Sequence, residues 1–227
     1  VFVYGDNANI QGGSGNDAIF LAGGLSKVTI DTGSGDDTVS GTSAYDVNIN
    51  LNEGNNTLSF TTLTGGSVTA GDGNNKIRIS TVSDAAVSLG DGQNTYAGDS
   101  MKNGASLSIG NGDNTIDLYR AGIEESYRSI GSSASISLGS GNNTVAIYEM
   151  HSGSQVSAAN GNNTVSIYSV NSGSALQLGN GNNAINLNGM SGGSAATIGN
   201  GNNMLNIYGI DSGSSLSLGN GANQARV

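Results

Sequence analysis

Short alternations of apolar and polar residues recur along this chain, each one following a glycine-rich turn. Thr144-Val145-Ala146-Ile147-Tyr148 places Val145 and Ile147 on one face, and a second short run carries Val156 and Ala158 with the same parity. The pairs return as Val165/Ile167 with Leu176/Leu178, Ile185/Leu187 with Ala196/Ile198, and Leu205/Ile207 with Leu216/Leu218. A period of two over four or five residues predicts half-buried strands. No apolar stripe of helical period survives a glycine every few residues, so helices are not expected.

The turns set a longer period. Gly179-Asn180-Gly181-Asn182-Asn183 returns as Gly199-Asn200-Gly201-Asn202-Asn203, and relatives of it run through the whole chain. The second glycine falls at 15, 35, 54, 73, 92, 112, 141, 161, 181, 201 and 221, so the spacing is 19 or 20 residues except for one interval of 29. A fixed period of this size marks a repeat architecture. Two strands of about five residues cannot bury their apolar faces within one coil. Stacked at about 4.8 Å, each strand pairs in parallel with its copy above and below. The expected fold is therefore all-β: one parallel β-solenoid over residues 1–227, a β-roll of about eleven coils with two short strands each. Ten such intervals make a rod roughly 50 Å long.

Parity assigns the columns. The last Asn of each turn shares the parity of the inward Val and Ile, which puts Asn56, Asn75, Asn94, Asn114, Asn143, Asn163, Asn183, Asn203 and Asn223 in one inward column. Buried amides need partners, and identical amides stacked as in cross-β structures supply them to one another. Tyr119, Tyr148, Tyr168 and Tyr208, with Phe60 taken at the matching offset, form a second column, expected to face outward. It reads as edge-protecting packing or as a sugar-binding face.

Charge and composition remove several functions. There are 7 Lys and Arg against 17 Asp and Glu, a net charge of −10, and nothing that could neutralise a row of phosphates, so nucleic acid is not an expected partner. No apolar run approaches the roughly 18 residues of a membrane span. The absence of Cys excludes thiolate chemistry. His151 beside a Ser-Gly-Ser turn has no acid placed to orient it, and Lys76 and Arg78 near Asp72 are the densest mixed cluster on a regular coil. An enzyme is not expected. The acid is uneven: residues 1–113 hold 12 acidic and 4 basic side chains, residues 114–227 only 5 and 3.

Gly12-Gly13-Ser14-Gly15-Asn16-Asp17-Ala18-Ile19-Phe20 fits the nonapeptide G-G-x-G-x-D-x-U-x throughout, and Gly33-Ser34-Gly35-Asp36-Asp37-Thr38-Val39 fits all but its first glycine. These turns resemble the calcium-binding β-roll repeats of secreted RTX proteins. The resemblance implies a right-handed parallel β-roll, secretion to an extracellular or cell-surface location, and Ca²⁺ held by turn carbonyls and Asp. Candidate ligands in the N-terminal half are Asp17, Asp36, Asp37, Glu53, Asp72, Asp91 and Asp113. From the third coil onward the ligand Asp has become Asn, and Ca²⁺ affinity falls with ligand charge. The turns at Gly179, Gly199 and Gly219 hold no carboxylate and are expected to bind none.

Two further features bear on function. The long interval carries its excess near residues 120–128, where Arg120, Glu124, Glu125 and Arg128 suggest a protruding loop, either solvated or a lateral contact. At the ends, Val1, Phe2, Val3 and Tyr4 match the coil positions of Ala225, Arg226 and Val227 closely enough for one chain to continue another, with an overlap of a few residues. Head-to-tail contacts that do not close make filaments. The expectation is a secreted structural protein whose subunits stack into an extracellular fibre or surface layer. The alternative is a Ca²⁺-dependent adhesin or spacer module. A carbohydrate ligand has no motif to support it.

Overall fold

The computed structural model describes residues 1–119, 129–211 and 213–227. Among these residues there is no helix, and the strands form one parallel sheet wound into about eleven coils. A C-terminal coil shows the unit. Thr144–Met150 forms the first strand and Gln155–Ala158 the second. Each pairs in parallel, residue for residue, with its copy one coil on: Val145 with Val165, Ile147 with Ile167, Val156 with Leu176 and Ala158 with Leu178. Because the register slips nowhere in this half, every inward residue lands on its own kind.

Those columns are the core. Val145, Val165, Ile185 and Leu205 stack in one line, and Ile147, Ile167, Leu187 and Ile207 in the next, all buried. The second strand faces them with Val156, Leu176 and Ala196. Each large side chain so buried contributes about 1.5–3 kcal/mol against exposure, which a single isolated coil could not collect. Phe60 belongs here. It pairs with Ile79 and is buried, four residues after its ladder Asn56, whereas the tyrosines stand five residues after theirs. Alternation therefore turns Phe60 inward, and it is not a member of the tyrosine column.

The corners differ. At the second corner Ser152 and Gly153 both have positive φ, 55° and 72°, and Ser154 N–H donates to the His151 carbonyl at 3.2 Å. Two successive left-handed residues reverse the chain tightly. In two coils of the N-terminal half one strand runs through this corner unbroken, Thr38–Asn50 and Thr57–Ala70, while others break there, as between Lys76–Ser83 and Ala86–Leu89. On either side of residues 120–128 the register is regular: Thr115–Leu118 pairs with Thr144–Ile147, and Ser100–Met101 with Ser129–Ile130. No helix of the described residues is long and apolar enough to cross a membrane.

Candidate functional site: the stacked glycine turns

The first corner is where the chain concentrates its polar chemistry. Its second glycine is obligatory. Gly181 has φ 142°, and a Cβ there would overlap the carbonyl of Gly161 in the preceding coil. Close approach of the turns brings each one's N–H groups within reach of its neighbour's side chains, and three ladders result.

The inner ladder is the Asn column. Asn163 backbone N–H donates to Asn183 Oδ1 at 3.1 Å, and Asn163 Nδ2 donates to the same oxygen at 3.0 Å. The amide also reaches Gly161 O at 3.1 Å and Ala159 O at 3.5 Å within its own turn. The pattern runs with small variations through Asn56, Asn75, Asn94, Asn114, Asn143, Asn183 and Asn203, and ends at Asn223, whose amide donates to Gly219 O. From Asn56 to Asn203 these residues are buried, so each rung satisfies what would otherwise be a desolvated amide.

Two outer ladders run the opposite way. Here a side-chain oxygen accepts from the backbone N–H of the following coil. Asn142, Asn162 and Asn182 accept from Asn162, Asn182 and Asn202 at 2.7–2.9 Å, and Asn160, Asn180 and Asn200 accept from Asn180, Asn200 and Asn220. Only the oxygen is needed, so Asp serves as well. Asp72, Asp91 and Asp113 accept from Asp91, Asn111 and Asn142 at 2.6–2.7 Å, and Asp36 accepts from Asn55. Glu53 and Gln93, one methylene longer, and Ser140, without a carbonyl, take no such bond among the described residues. Spacing alone did not expose these outer ladders. Their signal was the run of Asn and Asp at two alternate turn positions.

The seven acids proposed as Ca²⁺ ligands thus fall in three separate columns. Glu53, Asp72 and Asp91 lie in one outer ladder position and Asp36 and Asp113 in the other. Asp17 and Asp37 lie in the inner column, where Asp17 N–H donates to Asp37 Oδ1 and Asp37 N–H to Asn56 Oδ1. Among the described residues no three His, Cys, Asp or Glu side chains gather into a metal-holding group. At the outer positions Asp36, Asp72, Asp91 and Asp113 each hold a backbone N–H group with Oδ1. The inner column differs at one place. Asp37 is 1% exposed, and its Oδ2, standing where every later rung has an N–H donor, has no hydrogen-bond partner among the described residues.

The remaining candidates scatter. Arg120, Glu124, Glu125 and Arg128 lie outside the described residues. Val1, Phe2 and Tyr4 are exposed at one end of the rod and Ala225, Arg226 and Val227 at the other, while Val3 is buried. His151 Nδ1 lies 2.9 Å from Ser152 Oγ at the second corner. Along that corner Ser154, Ser174 and Ser194 are buried, and Ser154 Oγ donates to Ser174 Oγ at 3.3 Å, a short hydroxyl ladder that parity did not reveal. In the tyrosine column Tyr148 and Tyr168 stack with centroids 4.8 Å apart and planes 4° off parallel, and Tyr119 tilts against Tyr148 at 5.6 Å. Burial, and secondarily the Asp99 carboxylate, push the buried Tyr96 phenol well above the ordinary tyrosine range. No family model, curated protein or solved structure matches this chain.

Proposed function

We propose that this chain is a secreted structural protein whose coils stack head-to-tail into an extracellular fibre or surface layer. One observation carries the reading: coil stacks on coil in parallel, residue for residue, so the edge of any coil is a template for another of its kind. Among the described residues Ser215–Leu218 and Gln224–Arg226 pair with the coil before them alone, and Leu216 and Leu218 are partly exposed where Ala196 and Ile198 beneath them are buried. Among the same residues Phe2–Val3 and Asn9–Ser14 pair with the coil after them alone. Unpaired N–H and C=O rows template another strand, and here the incoming strand would meet columns of its own kind. Phe2–Val3 and Gln224–Arg226 hold the same place in the coil, so a junction must displace one of these short strands.

Negative-stain microscopy of the purified chain tests this. Fibres tens of subunits long are expected, and deletion of residues 1–4, which removes the competing strand, should lengthen them. Monodisperse monomer at high concentration, with and without the deletion, would overturn the proposal.

The orphaned Asp37 Oδ2 favours a second reading, a Ca²⁺-dependent adhesin or spacer module. Asp37 and Asp17, with carbonyls of their turns, would hold the ion, whose charge would take the place of the amide N–H groups of the later rungs. Calorimetric titration should then give Ca²⁺ uptake that Asp37→Asn abolishes. Heatless titration at millimolar Ca²⁺ removes this reading and leaves the first untouched.

A further inference from the structure

The outward column one residue beyond the core runs Tyr119, Tyr148, Tyr168, Asn188, Tyr208, as the register of the flanking strands requires. It is a stack of rings with one ring missing. Tyr148 and Tyr168 show what adjacent coils do here: their rings lie parallel at 4.8 Å. Tyr168 and Tyr208 are two coils apart, roughly 9.6 Å at the usual strand spacing, which leaves room for one further ring between them. Tyr208, with no ring stacked on either side among the described residues, is 74% exposed against 46% for Tyr168, which has Tyr148 on one side.

We propose that this gap binds a neutral sugar ring whose hydroxyls are all equatorial, a β-linked glucosyl unit being the simplest. The walls set the first condition. A ring held between two aromatic faces must present an apolar face on each side, and an all-equatorial pyranose does so with its axial C–H bonds, whereas an axial hydroxyl would press a polar group onto tyrosine. The floor sets the second. Asn188 lies in the gap with Asn186 and Ser166 beside it, all exposed, and neither Asn side chain makes a hydrogen bond among the described residues. These amides can donate to and accept from hydroxyls at a ring's edge. A plain aromatic ring would satisfy the walls and leave the floor unpaired. The lining carries no charge, so a phosphorylated or ionic ligand finds no counterpart. Size is the third. The gap belongs to a shallow groove that runs on past Ser166 to Ala146 and Tyr119; its whole volume is about 240 Å³, below the roughly 300–1,000 Å³ of sites that take larger molecules, so one ring is the most the gap itself can take.

Saturation-transfer NMR with cellotetraose tests the proposal, and because it reads particles of any size its outcome is separate from whether fibres form. The whole chain should give saturable transfer to cellotetraose, at least tenfold weaker with β-1,4-mannotetraose, whose 2-hydroxyl is axial. Asn188→Tyr completes the column at an exposed position. It should cut cellotetraose binding at least tenfold while keeping or raising the melting temperature. Tyr208→Ala removes one wall and should weaken binding similarly, whereas Tyr45→Ala, another exposed tyrosine far from the gap, should not. Three results would overturn the assignment: no saturable transfer, undiminished binding in Asn188→Tyr, or p-cresol occupying the gap without displacement by cellotetraose.

Discussion

The two halves of the rod solve one stacking problem with different side chains. From Asn142 on, the outer ladders are amides, and from Asn143 to Asn203 every inner rung is a buried Asn. Before that the outer ladders include Asp36, Asp72, Asp91 and Asp113, and the inner column begins with Asp17 and Asp37. The outer exchange changes nothing in the bonding, because those rungs use only an accepting oxygen. The inner exchange does. An inner Asn accepts with Oδ1 and donates with Nδ2, and a carboxylate cannot donate, so Asp37 is left with a buried orphan. Hydrogen-bond direction, more than polarity or size, decides where acid is tolerated.

The largest expected effect lies where both halves agree. Gly181→Ala should destabilise by more than about 3 kcal/mol, from a left-handed φ plus overlap with the Gly161 carbonyl. Gly15→Ala has φ 106° but open space around its Cβ, since no turn is stacked beneath it, and should cost only about 1–2 kcal/mol. Urea denaturation of the two variants separates strain from stacking.

Asn163→Asp transplants the acidic rung into the amide half. It removes three donated bonds and should cost about 2–4 kcal/mol, read by denaturation and by faster amide exchange in the flanking coils.

Next in size is a pH effect in the N-terminal half. The Tyr96 phenol is raised in the folded state, so its contribution is complete below the unfolded value near pH 10 and is lost as pH climbs from there towards the folded value. In that window the unfolded chain has released the proton and the folded chain has not. Stability should fall by up to about 1.4 kcal/mol per pH unit, and Tyr96→Phe should flatten the slope.

Asp37→Asn is the reverse transplant. It restores a donor to the orphaned position and should stabilise by about 1 kcal/mol in Ca²⁺-free buffer, seen as a raised denaturation midpoint. The smallest effect sharpens the rule. Asn182→Asp keeps the one oxygen that Asn202 N–H uses, and should change stability by no more than about 0.5 kcal/mol. A loss as large as that of Asn163→Asp would show that charge, rather than bond direction, governs the ladders.

The sequence alone determines whatever depends on period and parity. The coil, its two strands, the inward Val and Leu columns and the inward Asn column all follow from counting, because a strand alternates and a solenoid repeats. Phe60 follows the same count: it stands four residues after Asn56, one short of the tyrosines' offset, and that parity turns it inward. Tertiary structure alone decided which way each ladder runs. Counting places Asn163 and Asn182 in columns but cannot say that one donates down its turn while the other only accepts from the coil above. That depends on how closely the Gly161 and Gly181 backbones approach. It also decided that Asn188 interrupts a stack of rings: in the sequence it is one more Asn among many, and only the 4.8 Å spacing of Tyr148 and Tyr168 makes its place a gap. Periodicity names the columns. Close contact between coils, set by glycine, determines what each column does.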